Sequence, residues 1–299
     1  MIVHPAFHRL GLRLSPANLS DQLIDSDVQC SALIDAFREL INEYHPPKDK
    51  TYAREIENVM KPCLSFVSGG KPLPPSMASL VKQLKYQLTH VLGSSTEDQA
   101  KADLLEWLDD FAEQKITLST KAICLTLTEK FKTFDESPVI LTYSCSSLIQ
   151  EILEFASKNG ANFRVIIVDS FPKGRGQILA RSLVNSGVNC QYLLINAINH
   201  VIDSASLVLL GADGFLANGA AVCPSGSSQV CMVAKNRNIP VLVACQTYKF
   251  CERVQTAAVE HGWPDAEVVP ADFVTGVVTE LRTLPCSSVP AVLRVKQLY

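Results

Sequence analysis

Five short apolar runs, separated by stretches of helical spacing, constrain this chain more than any other feature. They are VILTY (139–143), FRVIIVD (163–169), CQYLLI (190–195), SLVLLG (206–211) and PVLVAC (240–245). Their apolar residues are nearly continuous, as in strands buried on both faces. Between them lie helical segments. One runs through Ile149, Leu153 and Phe155, another through Ile178, Leu179, Leu183 and Val184, and SSQVCMVAKNRN stops before Pro240. This alternation predicts an α/β fold, a Rossmann-like parallel sheet with helices on both faces. Ligands of such sheets sit beyond the carboxyl ends of the strands, which puts 143–146, 169–173, 211–213 and 246–249 on one rim.

The first part of the chain has a different period. In DQLIDSDVQCSALIDAFRELINEY, residues Leu23, Ile24, Val28, Ile34, Phe37, Leu40 and Ile41 recur at helical intervals. HPPK (45–48) stops the pattern, because proline cannot continue a helix. PLPPSM (72–77) punctuates it again. Helical spacing resumes in MASLVKQLKYQL and from Glu97 to about Thr133, with Ile116, Ile123, Leu127 and Phe131 as one stripe. The character changes at DESP (135–138). The expected organisation is a helical domain of four or more helices over 1–135 and the α/β domain over 136–299.

Charge and cysteine usage exclude several function classes. A net charge of -3 lacks the clustered Lys and Arg of a nucleic-acid surface. The most basic short patch, Lys48-Asp49-Lys50 with Arg54, is diluted by Asp49 and Glu55 and reads as a solvated loop. Most of the 10 cysteines sit in apolar segments, where the free thiol acts as a small hydrophobe. MIVHPAFHRL is no secretory signal, and no run reaches the ~18–20 apolar residues of a membrane span. The expected setting is cytosolic, with no membrane partner and no direct nucleic-acid contact. Cys223, Cys231, Cys245 and Cys251 lack paired zinc-knuckle spacing, so no metal and no cofactor is expected. Lys173-Gly-Arg-Gly176 lacks the third glycine of a dinucleotide fingerprint and reads as a plain strand-to-helix turn.

The chemical question centres on LVLLGADGFLANG (207–219). A carboxylate at a strand end, Asp213, can act as a general acid or base, with Cys145 as a candidate thiol partner. Asp equally suits a turn or cap between a strand and a helix. Asn218-Gly219 suits a tight turn with positive φ. VCPSGSSQ (222–229) reads as a loop entering a helix capped near Ser227 or Ser228, whose N–H groups could hold an anion.

GADGFLANG, the helix through Lys235, PVLVACQTYKFCERVQ (240–255) and LPCSSVPAVLRV (284–295) together resemble the regulatory subunits of eukaryotic translation initiation factor 2B. HPAFHRLGL (4–12), YSCSSL (143–148) and PCSSVP (285–290) resemble the delta type. The resemblance runs from His4 to Val295 and extends faintly to methylthioribose-1-phosphate and ribose-1,5-bisphosphate isomerases. Those enzymes use a cysteine after the first strand of this domain and the aspartate of the GAD motif. Asp213 falls on that aspartate. Setting LTYSCSS against the isomerase pattern Leu-Thr-His-Cys-Asn-Ala-Gly puts Ser144, not Cys145, on the cysteine. Cys223 and Pro224 stand where the isomerases carry Asn-Lys, and Phe171-Pro172 where they carry Arg-Pro. Serine supplies no thiolate-like nucleophile without an activating base. The resemblance therefore implies a degenerate pocket, formed by Ser144, Asp213 and Asn218, and no enzyme.

It further implies a regulatory and scaffold subunit of a guanine-nucleotide exchange factor, with alpha, beta, gamma and epsilon subunits as partners. The alpha, beta and delta types would form a hexameric core. The helical domain would help bind the alpha subunit of initiation factor 2 and sense its phosphorylation. Arg9, Gln114 and Leu118 are the candidate contacts, although Leu118 also fits a core position and Gln114 replaces an acid usual in the delta type. The alternative is an isomerase-like enzyme or sugar-phosphate sensor using the pocket around Asp213. The apolar ending PCSSVPAVLRVKQLY either docks on its own sheet or covers a partner, and YKFC (248–251) offers interface anchors. Delta-type chains usually carry a long polar extension before HPAF, and the 258–267 connection is short for the group.

Overall fold

The computed structural model describes residues 3–15, 25–47, 51–91, 96–254 and 266–298. Leu23, Ile24, the Lys48-Asp49-Lys50 loop and most of the 258–267 connection lie outside them. The chain forms two compact units, Met1–Thr117 and Leu118–Tyr299.

The first unit holds α1 (Pro5–Leu14), α2 (Ser26–Glu43), α3 (Tyr52–Ser68), α4 (Pro75–Val91) and α5 (Glu97–Phe111). The expected punctuation is visible. α2 stops before the Pro46-Pro47 pair, α3 ends on Gly69 at φ 56, and α4 begins at Pro75. Asp25 caps α2 by accepting from the Asp27 N–H, and Thr96 caps α5 by accepting from that of Gln99. The stripe Ile34, Phe37, Leu40 and Ile41 is buried, with Phe37 edge-on to Phe7 at 5.2 Å between ring centres. Val28, expected on that stripe, faces outward.

The boundary falls earlier than the composition change at 135. α6 (Ser119–Lys132) belongs to the second unit, where Ile123, Cys124, Leu127 and Phe131 join Ile140, Leu148 and Ile152 in one core. Periodicity identified the helix but carried no information about which layer its apolar stripe meets.

The remaining helices are α7 (Ser147–Lys158), α8 (Gly176–Asn185), α9 (Ile198–Val201), α10 (Ser227–Asn236) and α11 (Val289–Leu298). The strands are β1 (Val139–Tyr143), β2 (Arg164–Asp169), β3 (Cys190–Leu194), β4 (Leu207–Gly211), β5 (Gly214–Leu216) and β6 (Ala221–Pro224). They continue with β7 (Val241–Ala244), β8 (Phe250–Cys251), β9 (Ala266–Val269), β10 (Gly276–Val278) and β11 (Thr283–Leu284). The main sheet has the order β11-β10-β7-β4-β1-β2-β3, parallel throughout except for the β10–β11 pair. Its side chains alternate between two cores. Leu141, Tyr143, Val208, Leu210 and Val243 pack beneath α10 and α11, and Ile140, Ile167, Leu207, Leu209 and Leu242 beneath α6, α7 and α8. Burial on both faces explains the near-continuous apolar strands.

A second sheet of order β8-β5-β6-β9 corrects the expectation that a helix follows Asp213. The chain leaves β4, enters the β5–β6 hairpin and only then reaches α10.

Candidate functional site

The strand order fixes where a ligand crevice would lie. From β1 the chain builds outward through β2 and β3, then crosses to β4, β7 and β10 on the other side. The reversal between β1 and β4 is the topological switch point, where open α/β sheets hold ligands beyond their strand ends. Ser144 follows β1 and Asp213 closely follows β4, so the structure puts these two candidates on neighbouring strand ends. Asn218 is exposed in the β5–β6 turn, where its Oδ1 accepts from the Ala220 N–H at 3.3 Å and Gly219 takes φ 81. The tight turn expected of Asn218-Gly219 is present.

Ser144 is buried and has φ 61, a left-handed conformation uncommon outside glycine. Its N–H donates to the Val168 carbonyl at 2.8 Å. Beside it, a Cβ on Gly211 would lie 2.8 Å from the Ser146 Cβ, so α7 starts hard against the end of β4. Asp213 is half-buried, and its N–H donates to the Val222 carbonyl at 2.8 Å.

The helix N-termini of α7, α8 and α10 border this crevice, and the chain's own carboxylates occupy those of α8 and α10. Asp169, at the end of β2, is buried. It accepts from the Ser170 N–H at 2.8 Å, the Gly176 N–H at 2.7 Å and the Tyr192 hydroxyl at 3.1 Å. It thus caps α8, and a Cβ on Gly176 would lie 2.9 Å from its Oδ2. Gly176 keeps the turn narrow, which accords with reading Lys173-Gly-Arg-Gly176 as a plain turn. Glu267, on β9, accepts from both the N–H and the hydroxyl of Ser228 at 2.6 and 2.9 Å, capping α10. Nothing local marked Glu267 as a cap. It reaches the helix only because β9 pairs with β6.

Tyr143 fills the space between these two ends. Its hydroxyl donates to the Ser225 carbonyl at 2.6 Å and lies 3.0 Å from the Ser170 Oγ. Burial raises its pKa, with smaller contributions from the charges of Asp169 and Glu267. The phenol therefore stays protonated as a donor. Gly226, at φ 107, makes room for it, since a Cβ there would lie 2.6 Å from the Tyr143 Cζ.

Burial pushes the Cys223 thiol well above its ordinary range. Lys249 is only 2% exposed, with its Nζ 5.8 Å from the centre of the Tyr248 ring. Among the described residues, no cluster of three His, Cys, Asp or Glu could hold a metal ion, and no helix is long and apolar enough to cross a membrane.

Arg9 lies on α1, whereas Gln114 and Leu118 share one π-helical stretch. Arg9 pairs with Glu39 across a groove of about 280 Å³ between α1 and α2, floored by Ala6, Leu10, Ala32 and Ala36. Gln114 lies in the π-helical stretch Ala112–Leu118. Leu118 is 47% exposed, which removes its core reading. The C-terminal segment docks on its own unit, with Val289 and Leu293 buried in the core and Val295 exposed.

Comparison with known proteins places this geometry in context. The chain matches the initiation factor 2 subunit family over residues 25–269. It is 29% identical to translation initiation factor eIF2B subunit delta of Schizosaccharomyces pombe, over 99% of this chain and 70% of that protein. The Dictyostelium discoideum delta subunit is 28% identical, and the chain spans only 51% of its length. A ribose 1,5-bisphosphate isomerase of Methanocaldococcus jannaschii is 24% identical over 84% of both chains. Among solved structures, the tetrameric eIF2B-beta2-delta2 complex from C. thermophilum contains a chain at TM-score 0.84 and 29% identity, covering 94% of this chain and 92% of that one.

Proposed function

The chain belongs to the initiation factor 2 subunit family, and from that premise we propose that it is a non-catalytic regulatory and scaffold subunit of the eIF2B assembly, the guanine-nucleotide exchange factor for initiation factor 2. On this reading it pairs with a beta-type chain and joins alpha, gamma and epsilon subunits in the cytoplasm. Its helical unit contributes Arg9, Gln114 and Leu118 to binding the alpha subunit of initiation factor 2 and to sensing its phosphorylation.

One observation carries the non-catalytic part. At this crevice the N-termini of α8 and α10 are occupied by Asp169 and Glu267, and Tyr143 fills the space between them. A phosphate bound at either of these two ends would have to displace a charged hydrogen-bond acceptor. By the resemblance, Ser144 stands at the position of the isomerase thiol and Phe171 at that of the phosphate-pairing arginine. The test is native mass of the chain alone and mixed with a beta-type chain from the same source. A stable heteromer that then takes up an alpha-type chain supports the reading, and a homodimer indifferent to the beta-type chain refutes it.

The isomerase relatives favour a second reading, a sugar-phosphate enzyme or sensor. A ligand held at 100 times its Kd stabilises by about 2.7 kcal/mol. The first reading expects no thermal shift with ribose 1,5-bisphosphate, and a shift of that size would favour the second.

A further inference from the structure

We infer that Asn218 is a site of spontaneous covalent modification, at which the side-chain amide is lost and isoaspartate enters the β5–β6 turn.

The sequence Asn-Gly-Ala occurs twice, at 159–161 and at 218–220. Asparagine is thermolabile, and especially so before glycine, which has no side chain to shield the attacking nitrogen. The reaction is local, so the unfolded chain treats the two sites alike. A difference between them in the folded protein comes from the fold.

The chemistry needs only water. The Gly219 nitrogen gives up its proton and attacks the Asn218 Cγ, forming a C–N bond. The Cγ–Nδ2 bond breaks, and ammonia leaves with that proton. Water then opens the cyclic imide at one of its two carbonyls. Opening at the side-chain carbonyl gives aspartate. Opening at the backbone carbonyl gives isoaspartate, whose main chain runs through Cβ and Cγ.

The fold aims the two side chains in opposite directions. Asn218 reaches forward. Its Oδ1 accepts from the Ala220 N–H at 3.3 Å, an Asx turn that lays Cγ over the Gly219 peptide. The same hydrogen bond polarises the carbonyl under attack. Asn159, at the end of α7, reaches back. Its Nδ2 donates to the Phe155 carbonyl at 2.8 Å, and the same carbonyl takes the Asn159 N–H at 3.0 Å. That draws Cγ over the last helical turn, away from the Gly160 nitrogen. Both glycine N–H groups are engaged, Gly219 with the Leu216 carbonyl at 2.9 Å and Gly160 with that of Ser157 at 3.1 Å. Release of the N–H is therefore needed at either site and does not separate them. Accessibility alone would pick 159, since Gly160 is exposed and Gly219 buried. Aim picks 218, and attack requires the reacting atoms to be in reach and aligned.

The consequences differ as well. A Cβ on Gly219 would lie 2.7 Å from the Cys286 carbonyl oxygen, whereas nothing lies within 4 Å of one on Gly160. Isoaspartate lengthens the main chain immediately before Gly219 and adds a negative charge. The turn then loses its close seat on the Cys286 segment, and the buried Cys286 thiol opens to reagents.

The test ages the intact chain at mildly alkaline pH, folded and in guanidinium, and reads both Asn-Gly peptides by mass and fragmentation. In guanidinium the two sites should convert at equal rates. In the folded chain Asn218 should convert at least tenfold faster than Asn159, and thiol labelling of Cys286 should rise with the converted fraction. A chain carrying Asn218→Ser, aged alongside, should show no such rise. Equal or absent conversion in the folded chain, or faster conversion at Asn159, overturns the assignment. A converted chain whose Cys286 labels no faster than in the Asn218→Ser chain overturns the coupling of the turn to Cys286.

Discussion

Replacing Gly226 with alanine should destabilise the α/β unit by about 3–4 kcal/mol. Two effects combine. Gly226 has φ 107, outside the ordinary range of L residues, and forcing alanine there costs about 1–2 kcal/mol. The new methyl would also lie 2.6 Å from the Tyr143 Cζ and 3.3 Å from its Cε1, so the ring must move. Moving it breaks the 2.6 Å hydrogen bond to the Ser225 carbonyl and leaves a partly buried acceptor stripped, a further loss of about 2 kcal/mol. Thiol labelling, resolved by peptide mass, reads this locally. Cys223 is fully buried in the α/β unit, so it labels only through opening, and a loss of about 3–4 kcal/mol should speed labelling by roughly 10²- to 10³-fold. Cys30 and Cys63, buried in the helical unit, should keep their rates and serve as the internal reference. An acceleration below tenfold would refute the steric argument. Tyr143→Phe alone should cost about 1–2 kcal/mol. The hydrogen bond can be lost only once, so strictly additive losses in the double variant would refute the proposed coupling.

Gly219→Ala combines φ 81 with a Cβ 2.7 Å from the Cys286 carbonyl oxygen, and should lower stability by about 2–3 kcal/mol in thermal scans. Glu267→Ala removes the α10 cap and should cost about 1–2 kcal/mol, whereas Glu267→Asp, too short to reach Ser228, should recover little of it. Burial pushes the thiols of Cys124 and Cys231 up to about 12 and that of Cys286 to about 11, from an unfolded value near 9. The folded state therefore holds protons that the unfolded chain releases. Their contribution to stability should be flat below pH 9 and fall as pH rises from about 9 towards 12, a decline in denaturant-unfolding stability that replacing Cys231 with alanine should reduce.

The main sheet was legible because its inner strands are buried on both faces, and these together with the half-buried edge strand β3 appear as five apolar runs. The second sheet was not. GFL, AVCP, FC and AEVV are two to four residues long and become strands only through pairing, as when Val222 meets Gly214 and Val268. Asp213 was therefore expected before a helix and stands before a hairpin. α6 was legible as a helix but not as part of the α/β unit, because a stripe does not name its partner. At the crevice, the missing thiol could be read from YSCSS, and the turn from Asn218-Gly219. Glu267 could not be found this way. Its partner Ser228 lies 39 residues away, and its role exists only once β9 is laid beside β6.

A carboxylate seated on a helix N-terminus from within the same chain is a tethered competitor. Tethering gives Glu267 an effective concentration in the millimolar range or above, and folding holds it in place. A free phosphate that could bind the same N–H groups with millimolar affinity must compete against that local concentration, so its apparent affinity falls further. Phosphate levels that would fill an open helix end would leave the N-terminus of α10 closed.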